Sequence, residues 1–289
     1  MRDAHHAHGN ACDVGDCVSE ATKLAVGLKA HVIVPEFPGY GVVGGVAHEH
    51  NVNAILKATV KYVVKFLHAP QSRVIIVGRS IGTGPATWLA RVLSIQGSPP
   101  AALILHSPYT SIRAIARKYI GMASYFLADR WNSERSIVDV ACPVLLIHGD
   151  GDEIIPHEHS YQLAQTVKDV TARREQEAKD GGFSPPEPKP ATISLYIQEG
   201  CDHNTFDTES DFLFPIMKFI STKVNPYVWR SAFIRRGVNT RGANLLSTYE
   251  SPPEELEPMG CKMRVETSML KNRVKSTHRG PSDEPKSIA

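Results

Sequence analysis

Nothing in this sequence is built to cross a bilayer as a helix, because no apolar run approaches the roughly 18 residues that a span needs. The first 30 residues also lack the apolar centre of a signal peptide. Cysteine is scarce: five in all, at positions 12, 17, 142, 201 and 261, with no C-x-x-C pair. An odd, scattered set argues against a disulfide framework or a zinc knuckle and favours a reducing compartment. Excess charge of one sign is missing too. A net charge of +2 gives no global field toward nucleic acid, so no nucleic-acid partner is expected. The histidines at 5, 6 and 8 and the His-Glu-His triplets at 48–50 and 157–159 carry no H-E-x-x-H or Cys/His spacing. They read as solvated, and no metal or cofactor is expected. The expected setting is cytoplasmic.

What is present is alternation. The chain has 289 residues, 42% of them hydrophobic, enough for one large α/β domain or two small ones. Short β-branched runs predict strands at His31–Pro35, Arg73–Val77, Ala101–Leu105, Pro143–His148 and Ala191–Gln198. Helical patterns fall between them, at 16–29, 50–67, 81–96, 111–127, 158–175 and 209–222. Strands alternating with helices predict an α/β fold with a mostly parallel central sheet and helices on both faces. The domain is expected over 1–222. Residues 168–190, charged and then rich in Gly and Pro, read as a polar surface insertion. Residues 223–289 carry twelve Lys/Arg against seven Asp/Glu, a basic tail. Such a tail reads either as solvated and without a role or as a peripheral contact with an anionic membrane.

The stretch "VIIVGRSIGTGPATWL" poses the chemical question. Its glycine turn fits two motifs that both follow a strand and open a helix. One is G-x-S-x-G, which presents a nucleophilic serine; the other is a dinucleotide cradle. A serine hydroxyl needs a base, a carboxylate to orient the base, and N–H donors for the oxyanion. On a parallel sheet these sit in loops after strands, in the order serine, acid, histidine. Ser80 follows the strand ending at Val77. Asp152 follows "LLIHG" and is favoured over Asp150 because Ile154-Ile155-Pro156 anchors it. His203 follows the last strand in "EGCDHN". "HGNACD" supplies a turn near the N-terminus, so the oxyanion donors are expected to be the backbone N–H groups of Asn10 and Ile81. The dinucleotide reading fails on order. Its glycine turn should follow the first strand, and no Tyr-x-x-x-Lys of the short-chain dehydrogenases occurs. Between two strands, residues 109–141 form a small cap region. There Ile112, Ile115, Ile120, Met122 and Phe126 either line an acyl pocket or form a helical stripe packed on the sheet.

"HGNACD", "FPGYG", "GRSIGTGPA", "LHSPYTS", "CPVLLIHGDGDEIIP" and "GCDHN" together resemble the α/β-hydrolase superfamily. Within it, the chain is similar to the alpha/beta-hydrolase-domain 17 group, also collected under serine aminopeptidase S33-like annotations. The resemblance implies a serine hydrolase with Ser80, Asp152 and His203 as triad. It also implies acyl ester or thioester hydrolysis, with members that remove palmitate from protein cysteines. The substrate expected is then an acylated small molecule or an S-acylated protein. The alternatives are a serine peptidase and, outside the enzymes, an inactive fragment or non-catalytic binding protein on the same fold. Two departures stand out. Arg79 replaces the glutamine that usually precedes the serine. Only the polar "MRDAHHA" precedes "HGNA", where a buried central strand should be apolar. The expectation is an N-terminally truncated fold: either this polar stub fills the gap poorly or, as favoured here, the chain is a fragment or short isoform of a longer protein.

Overall fold

Val74 and Ile76 of one strand join a buried cluster on one side of the sheet, and Ile75 and Val77 join the cluster on the other. That period-2 split makes β3 (Val74–Arg79) a strand covered on both faces. The computed structural model describes residues 3–181 and 191–224. The chain divides into two units, 1–237 and 238–289, and the second lies outside the described residues.

The strands are β1 (Asp3–Ala7), β2 (His31–Ile33), β3, β4 (Ala102–His106), β5 (Val144–Gly149) and β6 (Ile193–Gln198). They form one sheet in the order β2-β1-β3-β4-β5-β6, and every pair is parallel. The helices are α1 (Val18–Leu28), α2 (Glu49–Lys65), α3 (Thr83–Ile95), α4 (Ile112–Ile120), α5 (Ser133–Ile137), α6 (Glu158–Gly181) and α7 (Phe214–Lys223). On one face Leu24 and Leu28 of α1 join Ile216, Phe219 and Ile220 of α7. On the other, Leu56 of α2, Leu89 of α3 and Leu163 of α6 pack together. This is the α/β-hydrolase fold, with helices on both faces.

The alternative in which the N-terminal stub fills the gap poorly is corrected. Asp3–Ala7 is a central strand, pairing Ala4 with Val32 on one side and Ile75 on the other. Ladder pairing uses main-chain groups, so a polar sequence can serve if its side chains fit. Ala4 and Ala7 are small and buried. His5 and His6 are buried as well, and burial pushes their pKa values down to about 4 and about 3, so both are neutral imidazoles.

The segment expected as a polar surface insertion is described in part. Residues 168–181 continue α6 to Gly181, and 182–190 lie outside the described residues. Arg, Glu, Gln, Ala and Lys are strong helix formers. Arg174 also ties the helix to the core, donating to the Val138 carbonyl at 3.0 Å and to Asp139 at 3.1 Å. The expected tail lies outside the described residues from 225 on.

Candidate active site

The C-terminal ends of β1, β3, β5 and β6 converge, and the site is built from the loops that leave them. β3 ends at Arg79 and the chain turns sharply through Ser80–Gly82 into α3. Ser80 has φ 53°, a left-handed conformation that costs a non-glycine residue about 1 kcal/mol or more. The neighbours explain the two glycines. A β-carbon at Gly78 would stand 2.7 Å from both Ala86 Cβ and the Gly82 carbonyl, and one at Gly82 would strike the carbonyls of Ala7 and His8. Helix, elbow and β1 therefore meet backbone to backbone. Thr83 Oγ1 donates to the Ser80 carbonyl at 2.6 Å, and Tyr109 Oη donates to the Ile81 carbonyl at 3.1 Å.

His203 reaches Ser80 from the β6–α7 loop. Its Nε2 lies 2.9 Å from Ser80 Oγ and its Nδ1 lies 2.7 Å from Asp152 Oδ2. All three side chains are buried. Asp152 is locked in turn. Its Oδ1 accepts from the N–H groups of Ile154 at 3.0 Å and Ile155 at 2.8 Å. Burial alone would raise its pKa, but hydrogen bonds from His148, His203 and Ile155 prevail and hold the carboxyl well below the usual carboxylate range. Asp150 does different work, accepting from the Gly200 N–H at 2.8 Å.

Asn10 and Ile81 flank the serine. Ile81 follows it in the elbow, at the positive end of α3. Asn10 follows Gly9, where an added β-carbon would lie 3.7 Å from Ser80 Cβ, so the β1–α1 loop passes beside the nucleophile. Tyr40 Oη donates to Asn10 Oδ1 at 2.7 Å, and Glu36 Oε2 accepts from the Val14 N–H at 3.0 Å. Both contacts brace the loop from "EFPGYG".

The cap residues divide. Ile112 and Ile115 pack against the core, as a stripe on the sheet would. Ile120, Met122 and Phe126 face water, Phe126 at 93% exposure. The five therefore do not form one buried acyl pocket.

Sequence reading missed His148. It is fully buried at the end of β5, with Nε2 2.8 Å from the Ile155 carbonyl and 3.3 Å from Asp152 Oδ2, and Nδ1 2.7 Å from Ser160 Oγ. Its only sequence signal is its place in "LLIHGDGD", four residues before the acid.

The sequence matches the FSH1 serine hydrolase family over residues 40–190, more than half of its length. The chain belongs to this family. The match takes in Ser80 and Asp152 and stops before His203. Among curated relatives of this FSH1 chain, alpha/beta hydrolase domain-containing protein aho-3 of Caenorhabditis elegans is 32% identical over 157 residues, 54% of this chain and 45% of its own. Lysophosphatidylserine lipase ABHD12 of Danio rerio is 30% identical over 184 residues, 58% of this chain and 47% of its own. Human alpha/beta hydrolase domain-containing protein 17C is 28% identical over 215 residues, 74% of this chain and 56% of its own. The chain thus spans about half the length of the curated relatives it matches. Two solved structures share the fold at 15% identity. The Pyrococcus furiosus esterase Pf2001 aligns with TM-score 0.54 over 78% of this chain and 82% of its own. A monoacylglycerol lipase of Paleococcus ferrophilus aligns at 0.52 over 76% and 94%.

Proposed function

We propose that this chain cleaves an acyl ester or thioester through an acyl-enzyme on Ser80. The observation that carries the reading is the unbroken hydrogen-bonded line from Ser80 through His203 to Asp152. His203 takes the serine proton as Oγ attacks the carbonyl carbon. Asp152 holds the imidazole in the tautomer that can accept it. The oxyanion rests on the N–H groups of Asn10 and Ile81. His203 then protonates the leaving alcohol or thiol, and water attacks the acyl-enzyme with the same base. No step calls for a metal or cofactor.

The substrate class is an acylated small molecule or an S-acylated protein. The lipase and the alpha/beta hydrolase domain-containing proteins among its relatives support an acyl substrate. So do exposed Ile120, Met122 and Phe126 beside Arg113, Arg117 and Lys118, a pairing suited to an acyl chain at an anionic lipid surface. Peripheral membrane contact, through this cap or the basic tail, is part of the reading. Among the described residues, no helix is long and apolar enough to cross a membrane.

The test is labelling of the chain with a fluorophosphonate, beside Ser80→Ala and a heat-denatured sample. Labelling of the native wild type alone supports the reading. A p-nitrophenyl ester series and an S-palmitoyl peptide then sort oxygen esters from thioesters. A native sample that neither labels nor turns over any ester would refute it.

A further inference from the structure

The residue before the nucleophile is a cation whose side chain reaches the loop that carries the base. Along β3, Ile75 and Val77 face the side covered by α1 and α7. Alternation sends Arg79 the same way. There its guanidinium donates to the main-chain carbonyl of His203 at 3.0 Å and to Asn204 Oδ1 at 3.3 Å. It also lies over the Phe206 ring, 5.3 Å from the centroid. On the near side, an added β-carbon at Gly9 would stand 3.5 Å from its Nη1. The side chain thus stands between the β1–α1 loop and the β6–α7 loop.

Among the described residues, the hydrogen bonds that join this loop to the elbow are those of the His203 ring and of Arg79. Within the loop, Asp202 Oδ1 accepts from the N–H groups of Asn204 and Thr205, and Asp202 N–H donates to the Thr205 carbonyl. Gly151 N–H reaches the Cys201 carbonyl at 3.0 Å, which fixes the strand-ward side of the loop to the Asp152 turn and not to Ser80. Main-chain neighbours of the nucleophile and of the base, 124 residues apart, are therefore joined by one side chain.

We infer that Arg79 is a positioning residue that sets the distance between His203 Nε2 and Ser80 Oγ by holding the His203 main chain. The inference rests on the proposed acyl-transfer reading. A planar guanidinium can serve both acceptors and stack on Phe206 at once; an ammonium presents a point charge and a glutamine amide is shorter. Misplacement of a reacting group by about 1 Å costs about 100-fold in rate. Arg79 touches no reacting atom, so its loss should lower kcat and leave KM for a small soluble ester nearly unchanged.

The experiment measures the second-order rate of fluorophosphonate labelling, per folded molecule, and kcat and KM on a p-nitrophenyl ester. It compares wild type, Arg79→Ala, Arg79→Lys, Arg79→Gln and Asn204→Ala. The expected result is a fall of about 10- to 100-fold in labelling rate and kcat for Arg79→Ala, with KM changed less than about twofold. Lys and Gln should fall between Ala and wild type, and Asn204→Ala should cost only a few-fold. Guanidinium chloride, far below denaturing concentration, should restore part of the rate to Arg79→Ala and none to Ser80→Ala. Labelling rates in Arg79→Ala and Arg79→Lys within about twofold of wild type would overturn the inference, as would a lowered melting temperature with kcat intact. Should Arg79→Ala fail to fold, Arg79→Lys and Asn204→Ala decide alone. A wild type that does not label removes the acyl-transfer reading itself, which no Arg79 result can do.

Discussion

The Asp152 carboxylate lies between two imidazoles, that of His203 at 2.7 Å and that of His148 at 3.3 Å. Only the first faces Ser80. His148 donates from Nε2 toward the Ile155 carbonyl and Asp152, so its Nδ1 accepts from Ser160. A second histidine thus holds the turn that carries the acid.

Removing the acid and removing its holder should differ in degree. Asp152→Asn keeps the shape but favours the wrong His203 tautomer, and kcat should fall about 10³- to 10⁴-fold. His148→Phe keeps the bulk and loses the contacts to Ile155, Asp152 and Ser160, and kcat should fall roughly 10- to 100-fold, as expected for a group shifted by up to about 1 Å. Steady-state kinetics on a soluble ester checks both, and equal losses would mean that His148 does more than hold the turn.

Ser80 carries backbone strain that glycine would not. Ser80→Gly should abolish labelling and raise stability by about 1 kcal/mol, which for a domain of this size is roughly 2–4 °C in Tm. Ser80→Ala should lose labelling without that gain. Thermal melts of the three proteins test the pair.

Gly82 offers the reverse case. Alanine there drives a methyl into the carbonyls of Ala7 and His8. Gly82→Ala should cost about 1–3 kcal/mol by overpacking and displace the β1 end that carries Asn10. Urea unfolding gives the stability, and the labelling rate reports the displacement.

Acid should unfold this protein early. Burial, followed by the charge of neighbouring histidines, pulls the folded pKa of His5 to about 4 and of His6 to about 3, and burial also lowers that of His106. The unfolded chain, titrating near 6.5, binds more protons than the folded one below that pH. Stability is therefore full above pH 6.5 and declines as pH falls toward 4. His5 alone accounts for about 3 kcal/mol of that decline at about 1.4 kcal/mol per pKa unit. Asp152, with its pKa depressed, adds a further loss only as pH falls below about 4. Among the described residues, no other side chain bonds either ring nitrogen of His5, so His5→Val should raise stability and flatten its pH dependence between 4 and 6.5. Chemical denaturation across that range is the measurement.

The legible parts of this molecule are those in which residue type and position in the chain coincide. β3, β4, β5 and β6 are apolar runs, and Ser80, Asp152 and His203 each stand in the loop after one. β1 was illegible because strand reading looks for apolar side chains, and a neutral buried imidazole is written with the same letter as a solvated one. The bond from Arg79 to His203 leaves no trace in a sequence, because its acceptor is a main-chain carbonyl. The cap misled for a related reason: Ile115 and Phe126 read alike as apolar, yet one meets the core and the other meets water.

Strand β1 precedes the other described strands but sits in the sheet's interior, between β2 and β3. Its ladder to β3 joins Ala7 to Gly78 across about 70 residues of intervening chain, and such distant pairings form slowly. Until that ladder closes, Asn10 has no place beside Ser80. The ability to capture a phosphonate is thus a clock for the end of folding: in a refolding time course it should rise only with the final phase, after helical signal and bulk compaction have levelled off.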